Sequence, residues 1–166
     1  TARNLEAMRI DMVVMRHGSS GAARFLADRI PSNVINAGDG TRAHPTQALL
    51  DALTLRQSFP DFGSIRLVMA GDIRHSRVAR SAIKMLRMLG IGEIRLAGPP
   101  EFMPGDGTSE GTTVFNDLDS AIQGANAIMM LRIQKERIKG LHIPAAEDYH
   151  RQWGLTEARL KQAEEG

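Results

Sequence analysis

Cysteine is absent from the 166 residues, which excludes disulfides and thiolate metal sites. Aromatic residues make up only 4%, with one tryptophan and one tyrosine. No block of like charge occurs and the formal net charge is only +2, so the basic patch and aromatic platforms typical of nucleic-acid binders are missing. No apolar run approaches the length of a membrane span. The opening residues lack a basic-then-apolar leader, and a soluble, cytoplasmic protein is the expectation. The five histidines, at 17, 44, 75, 142 and 150, show no H-E-x-x-H spacing, which argues against zinc.

What is present fits a globular α/β protein. The hydrophobic fraction is 42% and the charged fraction 24%. Met12 to Met15 is a short continuous apolar run, the pattern of a strand buried on both faces, and Ile65 to Ala70 is read as a second buried strand. Asn33 to Ala37, Ile94 to Ala97, Thr113 to Phe115 and Ala127 to Leu131 are further strands. Helices are expected over Thr1 to Arg9, Gly21 to Ile30, roughly 44–58, 76–89, Leu118 to Gly124, Glu147 to Gly154 and Thr156 to Gln162. Ser76 suits an N-cap, with apolar positions 79, 82, 83, 86 and 89 following the helical period. The alternation implies parallel sheets flanked by helices, with a domain boundary near 58–64 and no internal repeat.

The segment Asn36 to Asp51 is read as a strand end, a glycine turn, a loop and a helix start. Pro45 fits the first helical position, which puts His44 at the N-cap and Gln47 at N3. Leu49, Leu50 and Leu53 supply the apolar face expected to anchor this helix. A neutral imidazole and a carboxamide at a helix N-terminus suit a small anionic ligand that bears a carbonyl. The same spacing equally fits a capping arrangement, with Gln47 returning to a backbone N–H.

Ligands of open parallel sheets bind outside the carboxyl ends of the strands. Arg16 follows one strand, the Gly71–Arg77 loop a second, and Arg132 a third, while His44 and Gln47 follow a fourth. Arg77 in the first turn of a helix opposes the dipole by about 0.3–1 kcal/mol, a cost that makes sense if it serves an anion. Arg132 and Gln134 are expected to share a face by strand alternation. Arg74 and Arg80, and the charge run Lys135, Glu136, Arg137 and Lys139, read as solvated. Gly71 to Arg77 is neither a P-loop nor a dinucleotide fingerprint. No Ser or Cys nucleophile with an evident base stands out. The pattern points to group transfer by positioning and electrostatics, without cofactor or metal.

Several motifs resemble one family. H-P-T-Q-A-L-L-D at 44–51, G-D-I-R-H-S-R-V-A-R-S at 71–81 and M-M-L-R-I-Q-K-E-R at 129–137 are similar to the catalytic chains of aspartate carbamoyltransferases, in the family's order. Met15-Arg16-His17 with Gly21-Ala22-Ala23, and Tyr149-His150 with Gly154-Leu155-Thr156, match as well. The resemblance implies parts of two Rossmann-like domains, with residues 1 to 57 in the carbamoyl phosphate-binding domain and 58 to 166 in the aspartate-binding domain. It implies carbamoyl transfer from carbamoyl phosphate to L-aspartate in pyrimidine biosynthesis. Arg16 and His44 would contact the carbamoyl oxygen, with Arg16 also reaching phosphate, and Gln47 would hold the carbamoyl amide. Arg77 and Arg132 would clamp the aspartate carboxylates, assisted by Gln134.

The family's Ser-Thr-Arg-Thr phosphate loop and the Ser/Lys-bearing loop lent by a neighbouring subunit are not among these residues, nor is its later His-Pro loop. The expectation is an internal portion of the enzyme, inactive or nearly so alone. A homotrimer is implied for the full-length chain, with room for a regulatory chain. The alternatives are a non-catalytic carbamoyltransferase-like subunit or an anion-binding module. The ornithine-specific sister enzyme fits less well, since it typically carries H-P-C-Q and lacks the M-x-R-x-Q-x-E-R motif.

Overall fold

A strand followed by a helix returns the chain to the same end of a sheet, so alternating elements produce parallel pairing. The computed structural model describes residues 2–105, 109–134 and 145–163. The first elements are α1 (Ala2–Ala7), β1 (Met12–His17), α2 (Ala22–Ala27), β2 (Asn33–Asp39) and α3 (Pro45–Ser58). They are followed by β3 (Arg66–Ala70), α4 (Arg77–Met88), β4 (Glu93–Ala97) and β5 (Thr113–Phe115). The remainder comprises α5 (Leu118–Ile122), β6 (Ala127–Met130), α6 (Ala146–Trp153) and α7 (Glu157–Leu160). The expected charge run at 135–139 lies outside the described residues.

Two parallel sheets form. β1 pairs with β2, and the second sheet runs β5-β4-β3-β6. β3 sits between two neighbours and is buried on both faces, as its apolar run predicts. Side chains alternate across it. Leu67 and Met69 pack with Ala79, Ala82, Ile83 and Leu86 of α4 and with Ile94 and Leu96. Val68 and Ala70 face the other way, onto Leu118, Ala121, Ile122 and Trp153. α4 begins as expected, with the Ser76 hydroxyl accepting from the Ala79 N–H at 3.2 Å. Leu89, however, closes the helix as its C-cap and is exposed.

The first sheet departs from expectation. β1 is not buried on both faces, since Met12 is 53% and Val14 66% exposed. It has one neighbouring strand, so its apolar run gains parallel hydrogen bonds from β2 without a second layer to cover it. The leucine face of α3 does not anchor that helix either. Leu49, Leu50 and Leu53 are exposed, while Ala48 and Ala52 are buried. The small alanines let α3 approach α4 closely, and that contact turns the leucines outward. α2 is shorter than expected and buries Ala23, leaving Phe25 exposed beneath the Arg29 guanidinium at 3.5 Å.

Among the described residues no helix is long and apolar enough to cross a membrane.

Candidate functional site

The site is built where the two sheets present their strand carboxyl ends to one another. Both use the same short device. Ala37-Gly38-Asp39 closes β2, and Ala70-Gly71-Asp72 closes β3. Each glycine has positive φ, +116° at Gly38 and +123° at Gly71, which an L side chain rarely adopts. Each also permits a close approach. A Cβ on Gly38 would stand 2.8 Å from Cζ of Arg77, and one on Gly71 would collide with the carbonyl oxygen of Leu131.

The aspartates then organise the loops. Asp39 is buried and accepts from the N–H groups of Gly21 at 2.6 Å and Ala43 at 3.1 Å. Asp72, fully buried, accepts from the His75 N–H at 3.1 Å and from His75 Nδ1 at 2.8 Å. Its second oxygen accepts from the Gln134 N–H at 3.1 Å. That last bond ties the loop after β3 to the loop after β6. These are the neighbouring strands where the order of the large sheet reverses, the usual crevice for a ligand. Nothing in the expected site residues pointed to Asp39 or Asp72. The sequence signal was the tripeptide occurring twice, each time after a strand.

Arg16 stands where β1 and β2 lose register. Met15 lies opposite Asn36 but His17 opposite Asp39, so β2 carries an extra residue. Such irregularities re-aim side chains at the end of a strand. His44 is the N-cap of α3 and Pro45 its first residue, as read from the sequence, but no side chain caps the helix. Gln47 donates Nε2 to Asp51 Oδ1 at 2.8 Å, one turn along, instead of completing a capping box. The backbone N–H of His44 donates to Ser81 Oγ at 2.8 Å, which fastens this loop to α4. Thr46 Oγ1 lies 3.3 Å from His44 Nδ1. Burial, then the Arg77 and Arg16 guanidiniums, lower the His44 pKa below its ordinary 6.5, against a smaller opposing pull from Asp51. The imidazole is therefore neutral near pH 7.

Arg77, the first residue of α4, is only 7% exposed. Its Nη1 donates to the carbonyl of Gly40 at 3.2 Å, and its guanidinium rests against Gly38. A guanidinium from the start of α4 thus packs on the end of β2 and the turn after it. Arg132 and Gln134 lie in irregular chain beyond β6, with Arg132 exposed and Gln134 buried. The expected shared strand face is replaced by the Asp72 bond to Gln134.

Arg16, His44, Arg77, Arg132 and Gln134 line one cavity of about 160 Å³, together with Ser76 and Val78. The structure brings five of the six expected residues together. Gln47 does not line the cavity. Three guanidiniums, a neutral imidazole and a carboxamide can hold a small polyanion and polarise a carbonyl. Among the described residues, no group of three or more His, Asp or Glu side chains is placed to hold a metal ion.

Comparison with known proteins finds relatives of this fold and sequence. Residues 1–57 match the family model described as aspartate/ornithine carbamoyltransferase, carbamoyl-P binding domain. The aspartate carbamoyltransferase catalytic subunit of Gemmatimonas aurantiaca is 54% identical over 163 residues, which cover 98% of this chain and 51% of that protein. The Stenotrophomonas maltophilia subunit is 49% identical over 166 residues, covering 98% and 52%. Among solved structures, aspartate transcarbamoylase from Trypanosoma cruzi, in complex with carbamoyl aspartate and phosphate, aligns with a TM-score of 0.85 at 26% identity. That alignment covers 99% of this chain and 54% of the other. Ornithine carbamoyltransferase from Thermus thermophilus shares the fold, with a TM-score of 0.79 at 24% identity over 98% of this chain and 52% of that one. The chain spans about half the length of the curated relatives it matches. By fold, by sequence over nearly all of its residues and by its first 57 residues, the chain is similar to the aspartate/ornithine carbamoyltransferases.

Proposed function

We propose that this chain carries part of an active site that transfers the carbamoyl group of carbamoyl phosphate to the amino group of L-aspartate, giving N-carbamoyl-L-aspartate and phosphate. The observation that carries the reading is the cavity shared by Arg16, His44, Arg77, Arg132 and Gln134. Residues 1–57 then belong to the carbamoyl phosphate-binding domain and 58–166 to the aspartate-binding domain. The full-length protein acts as a cytoplasmic homotrimer.

Each side chain has a role that follows from its chemistry. The aspartate amine attacks the carbamoyl carbon, a C–N bond forms, and the C–O bond to phosphate breaks. Negative charge gathers on the carbamoyl oxygen during attack. Arg16 and the neutral His44 donate to that oxygen and stabilise it. A depressed pKa suits His44 here, because a neutral donor polarises the carbonyl without adding a fourth cation to the cavity. Arg77 and Arg132 each take one aspartate carboxylate, since two forks match a dicarboxylate. Gln134 assists, held by Asp72 through its backbone. Asp51 engages Gln47 Nε2, which leaves Oε1 as the atom to accept from a carbamoyl NH2.

Binding is the suitable test, because the family's phosphate-gripping Ser-Thr-Arg-Thr loop is not among these 166 residues. Calorimetric titration with succinate in the presence of phosphate is expected to show one site. Arg77→Ala and Arg132→Ala should each weaken it at least about tenfold, the size of one lost charge-assisted contact. Equal affinity in wild type and both variants would sink the assignment.

A further inference from the structure

A second cavity, of about 630 Å³, opens on the other side of the His44–Ser81 contact and shares no lining residue with the first. Its size falls within the range of small-molecule sites. Four cations line it: Arg42 from the loop after β2, and Arg80, Lys84 and Arg87 from α4. No acidic side chain is among the lining residues. The three α4 cations are spaced i, i+4 and i+7, so they project from one face of the helix, where like charges repel. Ile83, buried, and Ala43 give the cavity an apolar wall. A concave basic surface with an apolar wall focuses its field on the space between the charges.

Two of these groups are held by main-chain oxygens. Arg80 Nη2 donates to the carbonyl of Arg74 at 3.3 Å, and Arg87 Nη1 donates to the carbonyl of Glu110 at 2.8 Å. The Arg87 guanidinium also packs against Gly111, where a Cβ would stand 2.9 Å from Cζ. The bond to the Glu110 carbonyl orients the Arg87 guanidinium without setting an opposite charge against it. Arg42 and Lys84 are exposed and reach the same space from two different elements.

We propose that this cavity is a binding site for a compact polyphosphate anion, gripped by Arg42, Lys84 and Arg87. The proposal does not depend on the carbamoyl-transfer reading, since the two cavities have separate linings. A bare polyphosphate and a nucleoside triphosphate offer the same chemistry, and both serve as probes.

The test is calorimetric titration of the chain with inorganic tripolyphosphate and, separately, with a nucleoside triphosphate, at low and moderate salt. With succinate and phosphate present to occupy the first cavity, one equivalent is expected to bind, more tightly than inorganic phosphate, and to weaken as salt rises. Lys84→Glu with Arg87→Glu should weaken binding at least about 100-fold, two charge-assisted contacts being lost. Lys84→Gln with Arg87→Gln should weaken it in the same direction, and circular dichroism should show both variants folded. Arg16→Ala should leave the affinity unchanged. Tighter binding of the nucleoside triphosphate would place its organic part on the Ile83 wall. The proposal is overturned if neither probe binds at millimolar concentration. Equal binding by the paired variants, or loss of binding in Arg16→Ala, would overturn it as well.

Discussion

The two sheets are built from similar strands and end differently. β3 and β1 are both short apolar runs in parallel sheets, yet Val68 and Met69 are fully buried while Met12 and Val14 are more than half exposed. The difference lies in what surrounds each strand. β3 has a strand on either side and a hydrophobic cluster on each face. β1 has β2 alone. An apolar run therefore states that a strand can be buried, and the layers around it decide whether it is.

The same contrast ranks the expected effects of substitution. Leu86→Ala removes a fully buried side chain from the cluster beneath β3 and should cost about 3–4 kcal/mol in denaturant unfolding. Val14→Ala on β1 should change stability by less than about 0.5 kcal/mol. Comparable losses at the two positions would mean that β1 is covered in solution. Next comes Asp72→Ala, which leaves the N–H groups of His75 and Gln134 without their acceptor. A loss of about 2–3 kcal/mol is expected, with succinate affinity falling as the 131–134 segment loosens. Unchanged affinity would show that Gln134 is positioned by other means.

A smaller effect is expected at the junction of the sheets, from His44. Its pKa is lowered in the folded chain, so unfolded chains take up a proton that the folded one refuses. Stability from this residue is full above the ordinary 6.5 and is lost as pH falls from there toward the lower folded value. His44→Asn should flatten that part of the stability-against-pH curve measured in urea. An identical slope in wild type and variant would contradict the assignment. A modest effect is also expected from Arg159 and Asp119, which pair through two contacts of 2.9 and 3.1 Å. The guanidinium holds the Asp119 carboxyl below its usual range. Solvent screens this half-exposed carboxylate, so Arg159→Ala should cost under about 1 kcal/mol by thermal unfolding.

The sequence was informative where a residue's chemistry and its place on a strand end coincided. Arg16 stands at the end of a strand and His44, Arg77, Arg132 and Gln134 follow one, and parallel pairing carries such positions to the same edge of each sheet. The large sheet was legible for a similar reason, since β3 and α4 have apolar residues at the periods their burial requires. Other features were hidden by the kind of contact they make. Asp39, Asp72 and Ser81 accept from backbone N–H groups, which every residue but proline has, so no partner stands out in the sequence. Gln47 was drawn to Asp51 by a hydrogen bond of helical spacing that the capping pattern overshadowed. The leucines of α3 were misjudged because periodicity identifies an apolar face without saying which side meets a neighbour. Here the alanine side did.

The guanidinium of Arg77 resting on Gly38 has a consequence for how the protein can drift. Every amino-acid change at a glycine codon adds a side chain, and at position 38 it would enter space that the arginine occupies. The arginine is constrained in turn, because a shorter residue would leave the pocket above Gly38 unfilled and the Gly40 carbonyl without that donor. Neither position can wander without the other. The two residues, 39 apart in sequence, one at the end of β2 and one at the start of α4, form a single heritable unit that keeps the two halves of the chain in step.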